Sequence, residues 1–254
     1  MRFLCIAWLI FVPFLEGASP PPNIIEAGPE VFYIRRMRSG GTKQTARMDG
    51  VYVEFDRLKR YGWYVGGEFR YSQGRLKGHS GTQREILSIL TDRVWEGRFG
   101  YTLQRKNPKR YFITPYGGYG YFDQTNDFLP PTPIPLKFQN TFNFVSAGFL
   151  SGVNITSLLT MWVNFKMKFM LNGASKVSED PLMGDNTLQM NNEVLARIEV
   201  PFIYSPSNAR MGLEFVASPF YEYWHFGGRQ GFPFDYIDTK YNLYGANFAL
   251  RRRF

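Results

Sequence analysis

Apolar and polar residues alternate with a period of two along most of this chain. The clearest stretch covers residues 159–171, where every odd position is apolar and the even positions include Asn164, Lys166 and Lys168. An α-helix would distribute these polar residues around its circumference, whereas a β-strand places them all on one face. The pattern therefore predicts a strand with one apolar face and one polar face.

The same alternation recurs along the chain and predicts ten strands. We place them at 30–38, 48–57, 62–72, 92–104, 110–122, 140–152, 157–171, 191–203, 210–226 and 240–253. Most of them reach the roughly 9–11 residues that a tilted strand needs to cross a bilayer. Eight or twelve strands also fit the pattern, because arginines crowd the outer end of the first predicted strand.

The connections between the predicted strands alternate between short and long. The short ones are 58–61, 105–109, 153–156 and 204–209, and the long ones are 39–47, 73–91, 123–139, 172–190 and 227–239. An up-and-down barrel with both termini in the periplasm produces this alternation, because its periplasmic turns are short and its outer loops are long.

The predicted sheet is expected to close on itself, because hydrocarbon offers no hydrogen-bond partner to the backbone groups of an open sheet edge. The sequence therefore predicts an all-β fold, a closed up-and-down antiparallel transmembrane β-barrel. A soluble β-sandwich also alternates and is the main rival fold. It does not account for the regular change between short and long connections.

The first residues have the features of a secretory signal peptide. Arg2 precedes an apolar stretch at 3–14, and small residues follow around Ala18. The apolar stretch is too short to span a bilayer as a helix. We therefore predict a signal peptide at 1–18, a short periplasmic segment at 19–29 and the barrel at 30–254. An N-terminal membrane anchor is the alternative.

The composition favours a barrel over a soluble basic domain. The formal net charge is +9, yet only 20% of residues are charged, and 18% are aromatic. Aromatic side chains concentrate where a barrel meets the membrane surface. We predict such interfacial belts from residues near the strand ends, namely Tyr61, Trp63, Tyr64, Tyr111, Tyr204, Tyr221, Tyr223, Trp224 and Tyr241.

Cysteine and histidine usage limits the chemistry of the mature chain. The one cysteine, Cys5, lies inside the predicted signal peptide. A mature chain without it has no disulfide, no thiolate metal site and no cysteine nucleophile. No histidine–carboxylate cluster has metal-ligand spacing, so no metal or other cofactor is predicted.

Charged residues on the polar face of the predicted strands should point into the barrel. A barrel of about ten strands has an interior close to the size that side chains fill. Paired charges that plug the lumen are therefore favoured over a narrow polar pore for small solutes. The predicted lumen network consists of Glu68, Arg70, Glu96, Arg98, Lys166, Lys168, Arg197, Glu199 and Glu214.

Basic residues flank the first two predicted outer loops. They are Arg36, Arg38, Lys43, Arg47, Arg75 and Lys77. Such side chains can pair with the phosphates of lipopolysaccharide and other outer-membrane lipids, or with an anionic surface ligand. A solvated structural role is the alternative. No nucleic-acid partner is expected for an exported chain.

The two histidines raise the question of an enzyme. Ten-stranded proteases of the omptin family use paired acids and a His–Asp couple at the outer rim, and this chain has His225 with Asp235 and Asp238 nearby in sequence. No paired-aspartate motif stands opposite His225, and His79 lies in a Gly/Ser-rich segment. Because a catalytic base needs defined geometry, we expect no enzyme, with a protease or lipid A hydrolase as the less favoured alternative.

The C-terminal segment resembles the signature strand of bacterial outer-membrane β-barrels. That signature combines alternating apolar residues with a terminal Phe, and Tyr244, Phe248, Leu250 and Phe254 match it, whereas Arg252 departs from it. The aromatic segment 219–225 resembles the penultimate strand of small opacity-type and OmpA-like barrels, and the whole chain resembles outer-membrane proteins of chlamydia-like bacteria.

The resemblance implies an outer-membrane location and recognition of the last strand by the barrel-assembly machinery. It does not imply an activity, since one fold hosts many functions. The sequence as a whole predicts a surface-exposed structural or interaction protein with a largely filled lumen. A narrow channel for small solutes is the alternative.

Overall fold

The computed structural model of the protein describes residues 23–59, 62–104, 111–132, 136–181, 184–206, 212–231 and 235–254. Regular structure within these ranges consists of strands alone. No helix in the described ranges is long and apolar enough to cross a membrane. The predicted signal peptide at 1–18 lies outside the described residues.

The described strands form one antiparallel sheet that closes into a barrel. They are β1 (Asn23–Arg38), β2 (Lys43–Leu58), β3 (Gly62–His79), β4 (Glu85–Gln104), β5 (Phe112–Leu129), β6 (Lys137–Asn154), β7 (Leu159–Ser178), β8 (Asn186–Gln189), β9 (Val194–Glu199), β10 (Phe202–Tyr204), β11 (Leu213–Phe226) and β12 (Thr239–Arg253). Strands β1 to β7 pair in chain order, β11 pairs with β12, and β12 pairs with β1. The predicted closed antiparallel barrel is therefore confirmed.

Strands β8, β9 and β10 share one position in the wall, between β7 and β11, so the barrel has ten strand positions. The sequence predicts a single strand at 191–203 for this position. Pro201 has no N–H group and therefore interrupts the ladder between β9 and β10. The ladder to β7 survives the break, because the Pro201 carbonyl still accepts a hydrogen bond from the Trp162 amide at 2.8 Å.

A band of apolar side chains surrounds the outside of the barrel. Its outward-facing positions lie at 25–33, 51–55, 63–71, 95–103, 113–121, 145–153, 159–171, 194–204, 213–223 and 244–250. We call this surface the apolar band. On successive strands it ends at an outward-facing polar residue, for example Arg35, Asp49, Gln73, Arg93 and Asp123.

The height of the apolar band matches a membrane. A stretch such as 63–71 rises about 26 Å along its strand, and a tilt of about 40° reduces this to about 20 Å, comparable with the apolar belt of about 25 Å on membrane barrels. Trp63 and Phe99 stack with ring centroids 5.1 Å apart toward the end of the barrel that carries Asn23 and Phe254, which we name the periplasmic end after the predicted orientation. The outside of the barrel is therefore built to contact hydrocarbon.

The inward-facing residues change from charged to apolar at the level where the outward-facing residues change from apolar to polar. Within the apolar band, the inward-facing residues are mainly charged, as with Glu68, Arg70 and Glu96. Beyond the outer edge of the band, the inward-facing residues form an apolar cluster that includes Met48 and Phe142. A second apolar layer, around Ile24, Tyr52, Trp162, Ile203 and Val216, closes the periplasmic end.

Four of the five predicted long outer loops are wrong in extent, because the strands continue beyond the apolar band, whereas the fifth, predicted at 227–239, agrees to within one residue. The observed outer connections are 39–42, 80–84, 130–136, 179–185 and 227–238. Residues 43–49 illustrate the reason, since Ala46 and Met48 are buried inside the wall while Arg47 and Asp49 face water. The apolar and polar faces have exchanged sides, so a segment that appears too polar for a membrane strand still forms the wall.

The start of the barrel is also corrected. Strand β1 begins at Asn23, so residues 23–29, which the sequence assigns to a periplasmic segment, belong to the wall. Ile24 is buried in the periplasmic apolar layer, and Glu26 lies among the inward-facing charges.

The direction of several aromatic side chains differs from the prediction. Trp63, Tyr111, Tyr204 and Tyr221 are exposed on the outside, as expected for interfacial belts. Tyr64, Trp224 and Tyr241 are instead buried inside the barrel. Side chains in a strand alternate between faces, so these three occupy the inward parity. Tyr61 lies outside the described residues.

A bulge in β7 allows the wall to continue past the apolar band. The register with β6 shifts between Thr141 and Asn143, and Asn172 has a φ of 52°. An extra residue in one strand moves the following side chains to the opposite face. Ser175 and Val177 are therefore buried inside, although odd positions earlier in β7 face outward.

The apolar band gives a prediction about stability in a membrane. Replacing the outward-facing Ala147 on β6 by Arg is expected to lower the free energy of unfolding in phospholipid vesicles by about 2 kcal/mol, because the charge must enter hydrocarbon. Gln139→Arg lies on the same face of β6 above the band and should change it by less than about 1 kcal/mol. Chemical denaturation measures both. Equal losses for the two variants would show that the band does not contact lipid.

Candidate functional site

The charges inside the apolar band form one connected layer centred on Glu68. The Arg70 Nε donates to Glu68 Oε1 at 2.8 Å, and the Lys166 Nζ donates to Glu68 Oε2 at 3.1 Å. Lys166 also binds Glu96, and the Arg98 Nη1 lies 3.9 Å from Glu68 Oε2. All of these side chains are almost fully buried.

The layer extends across the barrel through Arg197. Its Nη1 donates to Glu222 Oε2 at 2.8 Å, and its Nη2 lies 3.4 Å from the Glu30 carboxylate, which also binds Arg70. Lys168 Nζ donates to Glu222 at 3.1 Å. The network therefore joins both walls of the lumen.

The structure brings all of the residues predicted for the lumen network together except Glu214. Arg70 lies 3.6 Å from Glu199, and Arg197 Nε lies 3.4 Å from the same carboxylate, which connects Glu199 to the layer. Glu214 is buried closer to the periplasmic end, where it accepts a hydrogen bond from Ser205 at 2.6 Å and pairs with Arg253.

The sequence-based set lacks two inward-facing acids of β1. Glu30 bridges two arginines of the layer, whereas Glu26 lies in the same register row as Arg251 and Glu214 and accepts from the Arg251 Nε at 2.7 Å. Glu26 precedes the predicted start of the strand, Glu30 is its first predicted residue, and Arg251 is in an arginine run that suggests a periplasmic rim. Positions 26 and 30 are even, whereas the outward-facing Tyr33 is odd. The alternation of faces along the strand could therefore have identified both acids as inward-facing.

The layer is compatible with burial because each charge has partners. A buried ion pair is tolerated only when further hydrogen bonds satisfy its remaining atoms. Tyrosines supply such bonds, since Tyr64 donates to Asp56 at 2.6 Å and Tyr52 donates to Glu26. Arginine planes also lie against rings, with Arg197 3.8 Å from the Phe220 centroid and Arg251 4.4 Å from that of Trp162.

A packed set of rings lies above the charged layer. Phe122 stacks on Phe142 with centroids 4.7 Å apart and meets Trp224 edge-on at 5.2 Å. Tyr241 packs on Phe226 at 5.3 Å and donates to Gln124 at 3.1 Å. Between the rings and the charges lies a cavity of about 20 Å³, which is room for a single water molecule.

The prediction that Arg36 and Arg38 flank a solvated loop is wrong. Arg36 is buried on the inner face of β1, where its Nη1 donates to Gln44 at 3.1 Å. The Arg38 guanidinium lies 5.6 Å from the Phe138 ring centroid at the top of the ring cluster. Both side chains therefore belong to the inner packing.

The other predicted basic residues face outward, on strands and not on loops. Lys43 and Arg47 lie on β2, and Arg75 and Lys77 lie on β3, all exposed. Arg47 donates to Asp49 at 3.0 and 3.1 Å. These side chains project from the side of the wall beyond the apolar band. Arg47 and Arg75 lie four residues past the edge of the band on their strands, Lys77 lies six and Lys43 eight.

The structure brings His225 together with two carboxylates. Its Nε2 lies 2.7 Å from Asp238 Oδ1, and its Nδ1 lies 3.4 Å from Glu193 Oε2. Partial burial acts to raise the pKa of Asp238, but the hydrogen bond and charge of His225 and the Gly228 amide lower this pKa below its ordinary value. The cluster links three outer segments of the chain.

This arrangement does not suit a general base. A histidine that activates water needs a free ring nitrogen, whereas both nitrogens of His225 face carboxylates. Asp235 does not join the cluster and accepts a hydrogen bond from the Gly231 amide at 3.1 Å. His79 is exposed at the end of β3. In the described part of the chain, no group of three or more His, Cys, Asp or Glu residues is arranged to hold a metal ion.

The residues of the C-terminal signature lie on the closing strand. Tyr244, Phe248 and Leu250 are exposed in the apolar band on β12. Phe254 follows the strand, and its amide donates to the Asn23 carbonyl at 3.0 Å. Their recognition by the assembly machinery stays a prediction.

No protein-family model and no curated protein matches the chain. In structure, the chain is similar to the outer membrane protease OmpT from Escherichia coli, with a TM-score of 0.60 at 10% identity over 94% of this chain and 99% of that chain. It is also similar to the translocator domain of the autotransporter NalP from Neisseria meningitidis, with a TM-score of 0.52 at 8% identity over 94% and 90% of the two chains. These similarities show the fold, which is that of the bacterial outer-membrane β-barrels.

The charged layer predicts strong coupling between its members. Lys166→Met should lower the free energy of unfolding by about 3–5 kcal/mol, because Glu68 and Glu96 lose a buried counter-charge. The double variant Lys166→Met/Glu96→Gln should lose less than the sum of the single variants by about 1–2 kcal/mol. Denaturant titration of all four proteins gives this coupling.

A matched control is Lys176→Met, which breaks the exposed pair with Asp185 and should cost less than about 1 kcal/mol. Strict additivity of Lys166→Met and Glu96→Gln would show that the two side chains do not form a coupled pair.

Proposed function

We propose that this chain is an outer-membrane protein that acts at the cell surface as a non-catalytic structural or interaction protein, with a lumen closed to solutes. The observation that carries the proposal is the filled interior. Apolar rings, paired charges and a second apolar layer follow one another along the barrel axis.

The charged layer opposes a channel role for a physical reason. An ion that crosses it would have to separate partners such as Lys166 and Glu68, whose atoms are 3.1 Å apart in a buried environment. The low dielectric of such a site makes that separation costly. The apolar rings around Phe122 and Trp224 then block the lumen above the charged layer.

The outer part of the barrel supports a role in surface binding. Residues 73–79 of β3 continue the wall about 20 Å beyond the apolar band along the strand. This extension has its own apolar core and a charged outer wall, so it forms a rigid platform outside the membrane. Rigid platforms suit recognition because little conformational entropy is lost on binding.

The likeness to OmpT concerns the fold, and the proposal does not extend it to proteolysis. Function follows from the chemistry of a site and not from the fold that holds it. The His225 cluster offers carboxylates on both sides of the ring and no free nitrogen, which supports a positioning role for the outer segments.

Planar-bilayer recording tests the closed lumen. The folded full-length chain is expected to give no defined conductance steps. The variant Phe142→Ala/Phe226→Ala, which removes ring volume but leaves the charged layer intact, should stay closed as well. Reproducible unitary steps from the unmodified chain would contradict the proposal.

Peptide hydrolysis tests the non-catalytic role. The unmodified chain, His225→Ala and His79→Ala are expected to cleave a mixed peptide library at the same background rate, because both ring nitrogens of His225 face carboxylates and His79 has no acidic partner among the described residues. The measurement is mass spectrometry of the library after incubation with each folded protein. Cleavage by the unmodified chain that His225→Ala abolishes would reverse this conclusion.

A further inference from the structure

One side of the extracellular wall carries positive charges without partners. Arg35 on β1, Lys43 on β2, and Arg75 and Lys77 on β3 are exposed. None of the four forms an ion pair within the part of the chain that the structure describes. We call these residues the basic patch.

The outward-facing cations on β4, β6 and β7 at this level are balanced by acids. Arg93 pairs with Asp123 at 3.1 Å, and Lys137 pairs with Asp127 at 3.6 Å. Lys176 likewise pairs with Asp185 at 3.3 Å. The excess of positive charge therefore lies on the β1–β3 face, with the exposed Lys240 of β12 beside it, and is not a general property of the outer wall.

The strand register brings the patch together. Arg35 and Lys77 lie on either side of Thr45 in one row across β1, β2 and β3. Neighbouring strands are about 4.8 Å apart, and same-face neighbours on one strand are about 7 Å apart, so the charged groups fall within roughly 10–15 Å of each other. That width suits a headgroup with more than one phosphate.

The position of the patch favours a lipid over a soluble polyanion. It projects sideways from the wall beyond the outer edge of the apolar band. Arg35 lies two residues beyond Tyr33, Arg75 four and Lys77 six beyond Tyr71, and Lys43 eight beyond Val51. In a bilayer the level of Arg35 and Arg75, roughly 5–10 Å above the band, meets the headgroup layer, and the long side chains of Lys77 and Lys43 can reach back toward it. The charges therefore face lipid phosphates and not the aqueous mouth of the barrel.

A groove in the apolar band lies below the patch and shares strands β2 and β3 with it. Its volume is about 520 Å³, and its floor includes Gly67 and Gly97, which pair across β3 and β4. Phe55, Trp95 and Tyr119 are among the side chains that wall it. A side chain at Gly97 would meet no atom within 4 Å, so the groove exists because two outward positions lack side chains.

We propose that the β1–β4 face binds one phosphorylated lipid of the surrounding outer leaflet. Its phosphates pair with the basic patch, and one acyl chain lies in the groove over Gly67 and Gly97. The proposal rests on the proposed function, since it requires that the barrel stands in the outer membrane. It adds a specific partner for one face of the molecule.

The test measures binding of three probes to the folded full-length chain in detergent. The probes are diphosphorylated lipid A, the same lipid without phosphates, and inorganic pyrophosphate. Arg75→Gln/Lys77→Gln removes two charges of the patch, and Gly97→Leu fills the groove. Lys137→Gln/Lys176→Gln is the matched control, because it removes two exposed charges on β6 and β7.

The patch variant is expected to bind diphosphorylated lipid A about 10- to 30-fold more weakly, and the control should stay within about twofold. Exchanging the two residues, as Arg75→Lys/Lys77→Arg, should restore most of the affinity. Gly97→Leu should weaken both lipids and leave pyrophosphate unchanged. Binding of the phosphorylated lipid should also weaken as salt concentration rises.

Equal loss in the patch and control variants would overturn the proposal. The proposal would also be overturned if pyrophosphate bound as tightly as the lipid and Gly97→Leu had no effect on lipid binding. The site would then bind anions without recognising a lipid. All variants leave the lumen untouched, and heat-modifiable gel mobility verifies their folding. Conductance of the unmodified chain therefore tests the proposed function independently of this lipid site.

Discussion

The wall of a barrel is one sheet thick, so its apolar side chains can face either outward or inward. At each level, the medium outside the barrel decides which of the two faces is apolar. Where hydrocarbon surrounds this barrel, apolar residues such as Phe99 and Phe248 face outward and the interior is charged. Where water surrounds it, Met48 and Phe142 turn inward and Arg47 faces outward. In its lower part the molecule is a membrane barrel with a charged interior. In its upper part the wall encloses a small hydrophobic core and presents polar residues to water.

The charged interior follows from this constraint and sets the character of the protein. Inward-facing polar residues at the level of the apolar band cannot reach water, so they must satisfy each other. Glu68, Arg70, Arg197 and Glu222 do so in a chain of ion pairs that crosses the lumen. Unpaired buried charges would cost several kcal/mol each, which explains why the layer is nearly complete and why it leaves little space for a solute.

The structural likeness to an outer membrane protease illustrates how little a barrel determines about chemistry. The same wall can support a cleft, a pore or a closed plug, because the residues on its inner face and rim vary independently of the hydrogen-bonded ladder. In this chain the histidine with an acidic partner, His225, is held on both sides by carboxylates. Its geometry ties the outer segments together, and the functional surface that we propose is the outer wall.

The sequence by itself determined the period-two pattern, the apolar band and most members of the charged layer, and it favoured ten strands over eight or twelve. These features are local, because the odd or even position of a residue relative to its neighbours in a strand indicates which face of the sheet its side chain occupies. Glu96, Lys166 and Arg197 could be assigned to the lumen on that basis alone. The length of the strands could not, because the reversal of faces beyond the band resembles a polar loop when the position of the membrane is unknown.

Only the tertiary structure decided which charges meet. Arg70 pairs with Glu30 and Lys166 with Glu68 across strands far apart in sequence. It also brought Gln44 to Arg36 and Asp238 to His225. Such contacts depend on the register of each strand against its neighbours and on the closure of β12 onto β1. No local sequence pattern indicates these contacts, because the closure of the barrel depends on the register of every strand around its circumference.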